Sequence, residues 1–342
     1  MTISKSLRII GFSGLLRSKA PRKDEWEERL CEAPKEPKQS SPFQNSNAIR
    51  EATFQSTATA NDYWQLLKPR VMSLVVFTGI VGLLLAPGSI HPVIGFATIL
   101  CIAVGSGAAG ALNMWYERDI DAVMDRTKDR PLPKGKIRAG EALGFGLTLA
   151  IGSVVVMYTL VNFWAAFYLA GAILFYVLVY TIWLKRITPQ NIVIGGAAGA
   201  LPPVIGWAAV MNETALLPWV LFGIIFLWTP AHFWALALVR HEDYAEAKIP
   251  MLPVVYGLEA TKNQILIYIM GLIPLTLYPV YNRDFGLMYG AVALVLGVLF
   301  LAFGIKVKLS QESKEGVRLF FYSIIYLFLL FAGMVLDRYG GL

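Results

Sequence analysis

Residues 93–115 read VIGFATILCIAVGSGAAGALNMW, an apolar run without one charged side chain. At about 1.5 Å per residue, a helix of this length crosses the roughly 30 Å of hydrocarbon in a bilayer. Eight further runs are similarly apolar, with at most one charged residue near an end, at roughly 71–87, 140–160, 164–184, 191–210, 217–239, 262–281, 286–305 and 318–336. Lipid offers no partner to backbone N–H and C=O groups, so such segments must be helices. The sequence therefore predicts an all-α polytopic membrane protein with about nine transmembrane helices.

The composition agrees. Of 342 residues, 56% are hydrophobic and 15% charged, against about one-half and one-quarter in soluble domains. After residue 70 the charges lie in short clusters between the apolar runs, because hydrocarbon excludes ions. This excludes one large soluble core. Cys31 and Cys101 form neither a metal-ligand spacing nor a disulfide framework. The net charge of +7 is topological, since the basic residues gather between spans. The expected surroundings are the lipid bilayer, and no nucleic-acid partner is expected.

Charge placement also orients the chain. One set of connections holds Lys68, Arg70, the run from Arg118 to Arg138, Lys185, Arg186, Arg240, Lys248, Lys262, Lys306, Lys308, Lys314 and Arg318. The other set holds only Arg283 and Arg338. The positive-inside rule puts the N-terminus and the long loops in the cytoplasm (or matrix), and the C-terminus outside.

Residues 1–62 form a polar and basic leader, and 63–342 the transmembrane domain. The leader opens with Lys5, Arg8, Arg17, Lys19, Arg22 and Lys23 without an acid, then turns rich in Glu, Pro, Ser, Gln and Asn, a composition expected to be disordered. Two readings stay open, a mitochondrial presequence and a cytoplasmic tail on anionic lipid, with the tail favoured.

Chemistry enters where the run 93–115 ends. Asn113, Glu117 and Asp121 follow at steps of four, and Asp125 at one step more. On a continuing helix the first three share a face and make an acidic stripe about 12 Å long. Asp119 is turned about 240° away and is left out. Stacked carboxylates repel without a cation, and oxygen-only ligands suit Mg²⁺, which commonly shares its sphere with phosphate. Arg126, Lys128, Arg130 and Lys134 follow directly. Carboxylates for a metal beside cations for phosphate suit diphosphate chemistry. The competing reading is a solvated helix end with chance spacing.

A second acidic cluster follows the run 217–239, where Arg240, His241, Glu242, Asp243, Tyr244, Glu246 and Lys248 come in close order. The charge topology places it on the same side as the first cluster. Two acidic helix ends on one cavity could hold two or three Mg²⁺ around one diphosphate. Lys185 and Arg186 share that side, either as phosphate contacts or as topology markers. His232 lies near the end of a span, where a histidine is a functional candidate by default; the alternative is an interhelical hydrogen bond.

These residues carry a resemblance. Asn113-Met-Trp-Tyr-x-x-Asp-Ile-Asp-Ala-Val-Met124 with Arg130-Pro-Leu-Pro133 resembles the first motif of the intramembrane UbiA-type prenyltransferases. It is more closely similar to the protoheme IX farnesyltransferases (heme O synthases) among them. The stretches 184–203, His232-Phe-Trp-Ala-Leu-Ala237, and Asp243-Tyr244 through Ile249-Pro-Met-Leu-Pro-Val-Val255 resemble the same branch, and the similarity spans about residues 63–340.

The resemblance implies a UbiA-like bundle of nine spans around a central cavity, with Mg²⁺ as the metal. It implies farnesyl diphosphate and heme B as substrates and heme O as the product, made for terminal oxidases, with heme A synthase as a candidate partner. Asn113, Glu117 and Asp121 match the first motif and Asp243 the start of the second, as catalytic and metal-binding residues. Arg126, Arg130, Lys134 and Lys185 are the candidates for diphosphate, and His232 for a heme propionate or the iron. Two positions depart from the pattern. Glu117 stands where Asp is more usual, and Ala247 stands where the wider superfamily has a second Asp. The 249–253 run looks more like the bacterial branch, implying the cell inner membrane, with the mitochondrial inner membrane as the alternative. A quinone precursor or a chlorin is the alternative acceptor. A transporter is disfavoured, since the acids sit at span ends and no internal repeat is visible.

Overall fold

The computed structural model describes residues 58–340, so residues 1–57 of the expected leader lie outside the described residues. The last few leader residues are helical. Thr59 caps Ala60–Leu66 (α1) through a capping box, its side chain accepting from the Asp62 N–H while Asp62 accepts from the Thr59 N–H at 3.0 Å. Asp62 is buried and also accepts from Lys136 at 2.9 Å. Among the described residues this is the first helical cap.

Pro69 cannot continue α1, as it lacks an N–H and restricts the residue before it. Lys68 takes a left-handed conformation at φ 52°, and Pro69–Leu85 (α2) leaves at 56° to α1. The next helix, Pro92–Tyr116 (α3), is followed by the short Arg118–Val123 (α4) and then Ala139–Leu160 (α5). Phe163–Leu174 (α6) runs on into a π-helical segment, Phe175–Leu184. Asn191–Ala200 (α7) and Pro202–Met211 (α8) are one span interrupted where Pro202 and Pro203 remove two donors. Leu216–Val239 (α9), the short His241–Glu246 (α10) and Leu252–Val255 (α11), and the long Gly257–Tyr281 (α12), Leu287–Leu309 (α13) and Ser313–Gly340 (α14) complete the order. Among the described residues eight helices are long and apolar enough to cross a bilayer, and nine spans result if the bent pair α1–α2 counts as one. Among the described residues there is no strand.

Large apolar side chains such as Phe96, Ile151 and Phe321 stay exposed on the outside of the helices, the arrangement expected of lipid-facing surface. Inside, one cluster joins α9, α12, α13 and α14 around Trp228, Trp234, Tyr289, Phe300, Tyr326 and Phe331. A second joins α3, α5 and α6 around Ile102, Leu112, Met157 and Leu169. Small residues let backbones touch. A Cβ on Gly82 of α2 would stand 2.1 Å from the Pro203 carbonyl oxygen of α8.

A third, small cluster positions the site. Ile120 and Met124 from the segment after α3 pack with Ile192 of α7, Ala237 of α9, Tyr244 of α10, and Ile249 and Met251. The segments carrying the two acidic clusters therefore meet at one end of the bundle.

Candidate active site

The stripe is not on one unbroken helix. The helix ends at Tyr116 and restarts at Arg118, with Glu117 at φ −90° and ψ 12° between them. The i to i−4 bonding continues across the break, Glu117 N donating to Asn113 O at 2.9 Å and Asp121 N to Glu117 O at 2.8 Å. The four-residue spacing therefore still stacks the three side chains. Asn113, Glu117 and Asp121 are all buried, at 2%, 2% and 3% exposure.

Burying carboxylates is costly unless they are paired, and each stripe residue meets a cation. Lys68 Nζ donates to Asn113 Oδ1 at 2.5 Å, Lys185 Nζ lies 2.5 Å from Glu117 Oε2, and Arg130 donates to Asp121 Oδ2 at 2.7 Å. The three cations come from three different elements. Lys68 sits at the α1–α2 bend, Lys185 caps the π segment, and Arg130 lies in the loop after α4. Thr181, inside the π segment, accepts from Asn113 Nδ2 at 3.0 Å.

The remaining candidates separate by position. Lys134 pairs with Asp129 at 2.9 Å, well exposed, and Arg126 is exposed in the same loop. Asp125 pairs with Lys128 on the surface. Asp119 is turned off the stripe and makes two hydrogen bonds to Arg186, at 2.8 and 3.0 Å. Partial burial works against the Asp119 charge, but the Arg186 bonds outweigh it and hold its carboxyl below the usual range.

Asp243 lies on α10 with its side chain 16% exposed, 3.6 Å from Arg240. Asp125 foremost, then Asp129 and Asp243, hold the Lys128 ammonium above its usual range, so the second cluster lies within electrostatic reach of the first loop. Glu246 is exposed.

The donors suit a hard divalent cation. Glu117 Oε1 and Asp243 Oδ2 are buried carboxylate oxygens without a hydrogen-bond partner, and such atoms call for an ion or other donor. An amide oxygen and carboxylates match the preference of Mg²⁺. Among the described residues no group of three His, Cys, Asp or Glu could hold a metal unaided. A cation bound here would complete its sphere with phosphate oxygens or water, as Mg²⁺ usually does.

His232 makes its contacts elsewhere. Its Nδ1 is 2.6 Å from Ser323 Oγ of α14, and its ring is stacked between Trp228 at 4.3 Å and Phe320 at 4.5 Å. A cavity of about 350 Å³ is lined by Arg283, Asp284, Phe285 and Asp337 at the other end of the bundle, and it includes none of the acidic group.

Two residues of the site escape the sequence reading. Lys68 reads there only as a charge before a span, and Thr181 is not singled out at all. A signal for Thr181 exists, since it stands four residues before Lys185 in an otherwise apolar run.

Residues 75–329 match the model of the UbiA prenyltransferase family. The chain is 55% identical over 288 residues to a protoheme IX farnesyltransferase of Parvibaculum lavamentivorans, covering 83% of this chain and 91% of that one. Among solved structures it is similar to a digeranylgeranylglyceryl phosphate synthase, with a TM-score of 0.69 and 18% identity over 81% of this chain and 97% of the other. A UbiA homologue from Archaeoglobus fulgidus bound to GPP and Mg²⁺ matches with a TM-score of 0.56 and 17% identity, over 80% of this chain and 99% of that one.

Proposed function

Since the chain belongs to the UbiA prenyltransferase family and, within it, to the protoheme IX farnesyltransferases, we propose that it transfers the farnesyl group of farnesyl diphosphate to a vinyl group of heme B, making heme O. That it is a membrane-embedded prenyltransferase follows from the family itself. The observation that supports the diphosphate chemistry is the buried row Asn113, Glu117 and Asp121, each against a basic side chain, at the end of the bundle where the segment carrying Asp243 also packs. The A. fulgidus homologue, bound to GPP and Mg²⁺, supports reading that row as the prenyl diphosphate end.

Two or three Mg²⁺ ions, shared between Asn113, Glu117 and Asp121 on one side and Asp243 on the other and completed by diphosphate oxygens, would neutralise the diphosphate and make it a better leaving group. Lys185 and Arg130 then balance the buried acids Glu117 and Asp121, and together with Lys68 they offer N–H donors to diphosphate oxygens as the allylic C–O bond breaks. Fixed donors in a poorly solvated site need no reorganisation at that moment. Arg126 and Lys134, exposed in the adjoining loop, would draw the anion in from solution. The ring of Tyr180, 5.9 Å from Lys185 Nζ and 5.3 Å from the Tyr176 ring, provides π-faces suited to the allylic cation. The heme vinyl group attacks that cation. Water adds to the resulting tetrapyrrole-side cation and loses a proton, leaving a hydroxyethylfarnesyl substituent.

His232 is the proposed heme contact, through Nε2, because Nδ1 is engaged by Ser323. The acidic end faces the cytoplasm by the positive-inside rule, in the cell inner membrane of a bacterium, and heme A synthase is the proposed consumer of the product. Incubating membranes with heme B, farnesyl diphosphate and Mg²⁺ should yield the heme O mass. Prenylation of a quinone precursor with none of heme B would overturn the acceptor and leave the family reading intact.

A further inference from the structure

The π segment gives Asn113 something the motif alone does not. Thr181 is fully buried, and its hydroxyl donates to the carbonyl of Tyr176, five residues back, at 2.9 Å. The five-residue register continues to its end, where Lys185 N donates to Tyr180 O at 3.0 Å. π-Helical turns are rare and occur frequently at functional sites. This one is seated by Gly195 of α7, where a Cβ would stand 2.2 Å from the Tyr180 ring.

A hydroxyl has one proton. With that proton on the Tyr176 carbonyl, the Thr181 oxygen can only accept, and only the NH₂ half of Asn113 can meet it. Asn113 Oδ1 is thereby turned to the opposite side, where Lys68 Nζ donates to it at 2.5 Å. The chain Tyr176 C=O, Thr181 O–H, Asn113 NH₂ is thus directional. It leaves the amide oxygen, the one atom of Asn113 that could ligate a cation, on the side away from Thr181, where Lys68 also lies.

We infer that Thr181 is a positioning residue, which fixes the amide polarity of Asn113 so that its oxygen faces the diphosphate and metal end of the site. The inference rests on the reading of Asn113 as a ligand and deepens it. Outer hydrogen-bond partners of metal ligands typically contribute about 10- to 100-fold in metal affinity.

The test is Mn²⁺ binding to the purified full chain in the presence of inorganic pyrophosphate, followed by electron paramagnetic resonance. Thr181→Val should weaken binding at least about tenfold, Thr181→Ser should restore most of it, and the metal-free melting temperature should move little. Should Thr181→Val not purify, Thr181→Cys, similar in size but a weak donor and acceptor, takes its place with the same expectation. In an Asn113→Asp background, where either oxygen can face the site, adding Thr181→Val should have little further effect. Wild-type affinity in Thr181→Val, or equal losses in Val and Ser, would overturn the positioning role. Wild-type affinity in Asn113→Ala would instead sink the ligand reading on which it rests.

Discussion

Lys185 and Glu117 form a buried ion pair across two elements, with Nζ 2.5 Å from Oε2 and side-chain exposures of 15% and 3%. The other carboxylate oxygen of Glu117 is buried without a partner. A pair of this kind is retained at a cost, since desolvation offsets much of its attraction, and removing one member strands the other.

Lys185→Met should therefore destabilise the protein by about 3–5 kcal/mol, because Glu117 is left as an uncompensated buried charge. Glu117→Gln combined with Lys185→Met should regain most of that loss and no prenyl transfer. Thermal melts in detergent alongside heme O formation separate the two effects. Recovery of activity in the double variant would mean that the pair serves the fold alone.

Asp121 and Asp119 are two residues apart and should behave in opposite ways. Asp121→Ala should lower turnover by at least about a hundredfold while the protein stays in the membrane at normal level by immunoblot. Asp119→Ala should leave turnover nearly unchanged, because its partner is the surface residue Arg186 and such pairs are worth about 0–1 kcal/mol. The Asp119 carboxyl sits below its usual range. The pair's small contribution is therefore present at neutral pH and lost only as pH falls through that lowered value. Wild-type turnover in Asp121→Ala would remove the acidic row from the chemistry.

The contact between α2 and α8 leaves no room for a side chain at Gly82. Gly82→Ala would put a methyl 2.1 Å from the Pro203 carbonyl, which backbone cannot yield cheaply. The expected cost is about 1–3 kcal/mol from overpacking, read as a lower melting temperature. Gly144→Ala, on α5 with open space around it, is the control and should be neutral or slightly stabilising. Equal melting temperatures would refute the close approach.

The spans were legible because hydrocarbon sorts residues by polarity, and nothing tertiary is needed to see it. The acidic row was legible because a four-residue step is intrinsic to helices, and it survives the break at Glu117 since the hydrogen bonds do. Other features depend on where distant chain segments meet. Arg126, Arg130 and Lys134 look alike in the sequence, and only the path of the loop brings Arg130 onto Asp121 and Lys134 onto Asp129. Lys68 meets Asn113 across a bend set by Pro69. The π register that aims Thr181 is invisible to a search at the α-helical period.

His232 and Ser323 pose a separable question. The Ser323 hydroxyl donates to Phe320 O at 2.6 Å, so its oxygen accepts from Nδ1–H of His232 and leaves Nε2 with the lone pair. Ser323→Ala keeps the imidazole and removes the bond between α9 and α14, at an expected loss of about 0.5–1.5 kcal/mol. His232→Ala removes both the bond and the proposed heme contact. Heme B titration followed by absorbance should then be weaker in His232→Ala, with Ser323→Ala staying near wild type. Equal heme affinity in all three proteins would assign His232 to helix packing alone, and the acceptor end would have to be sought on other residues.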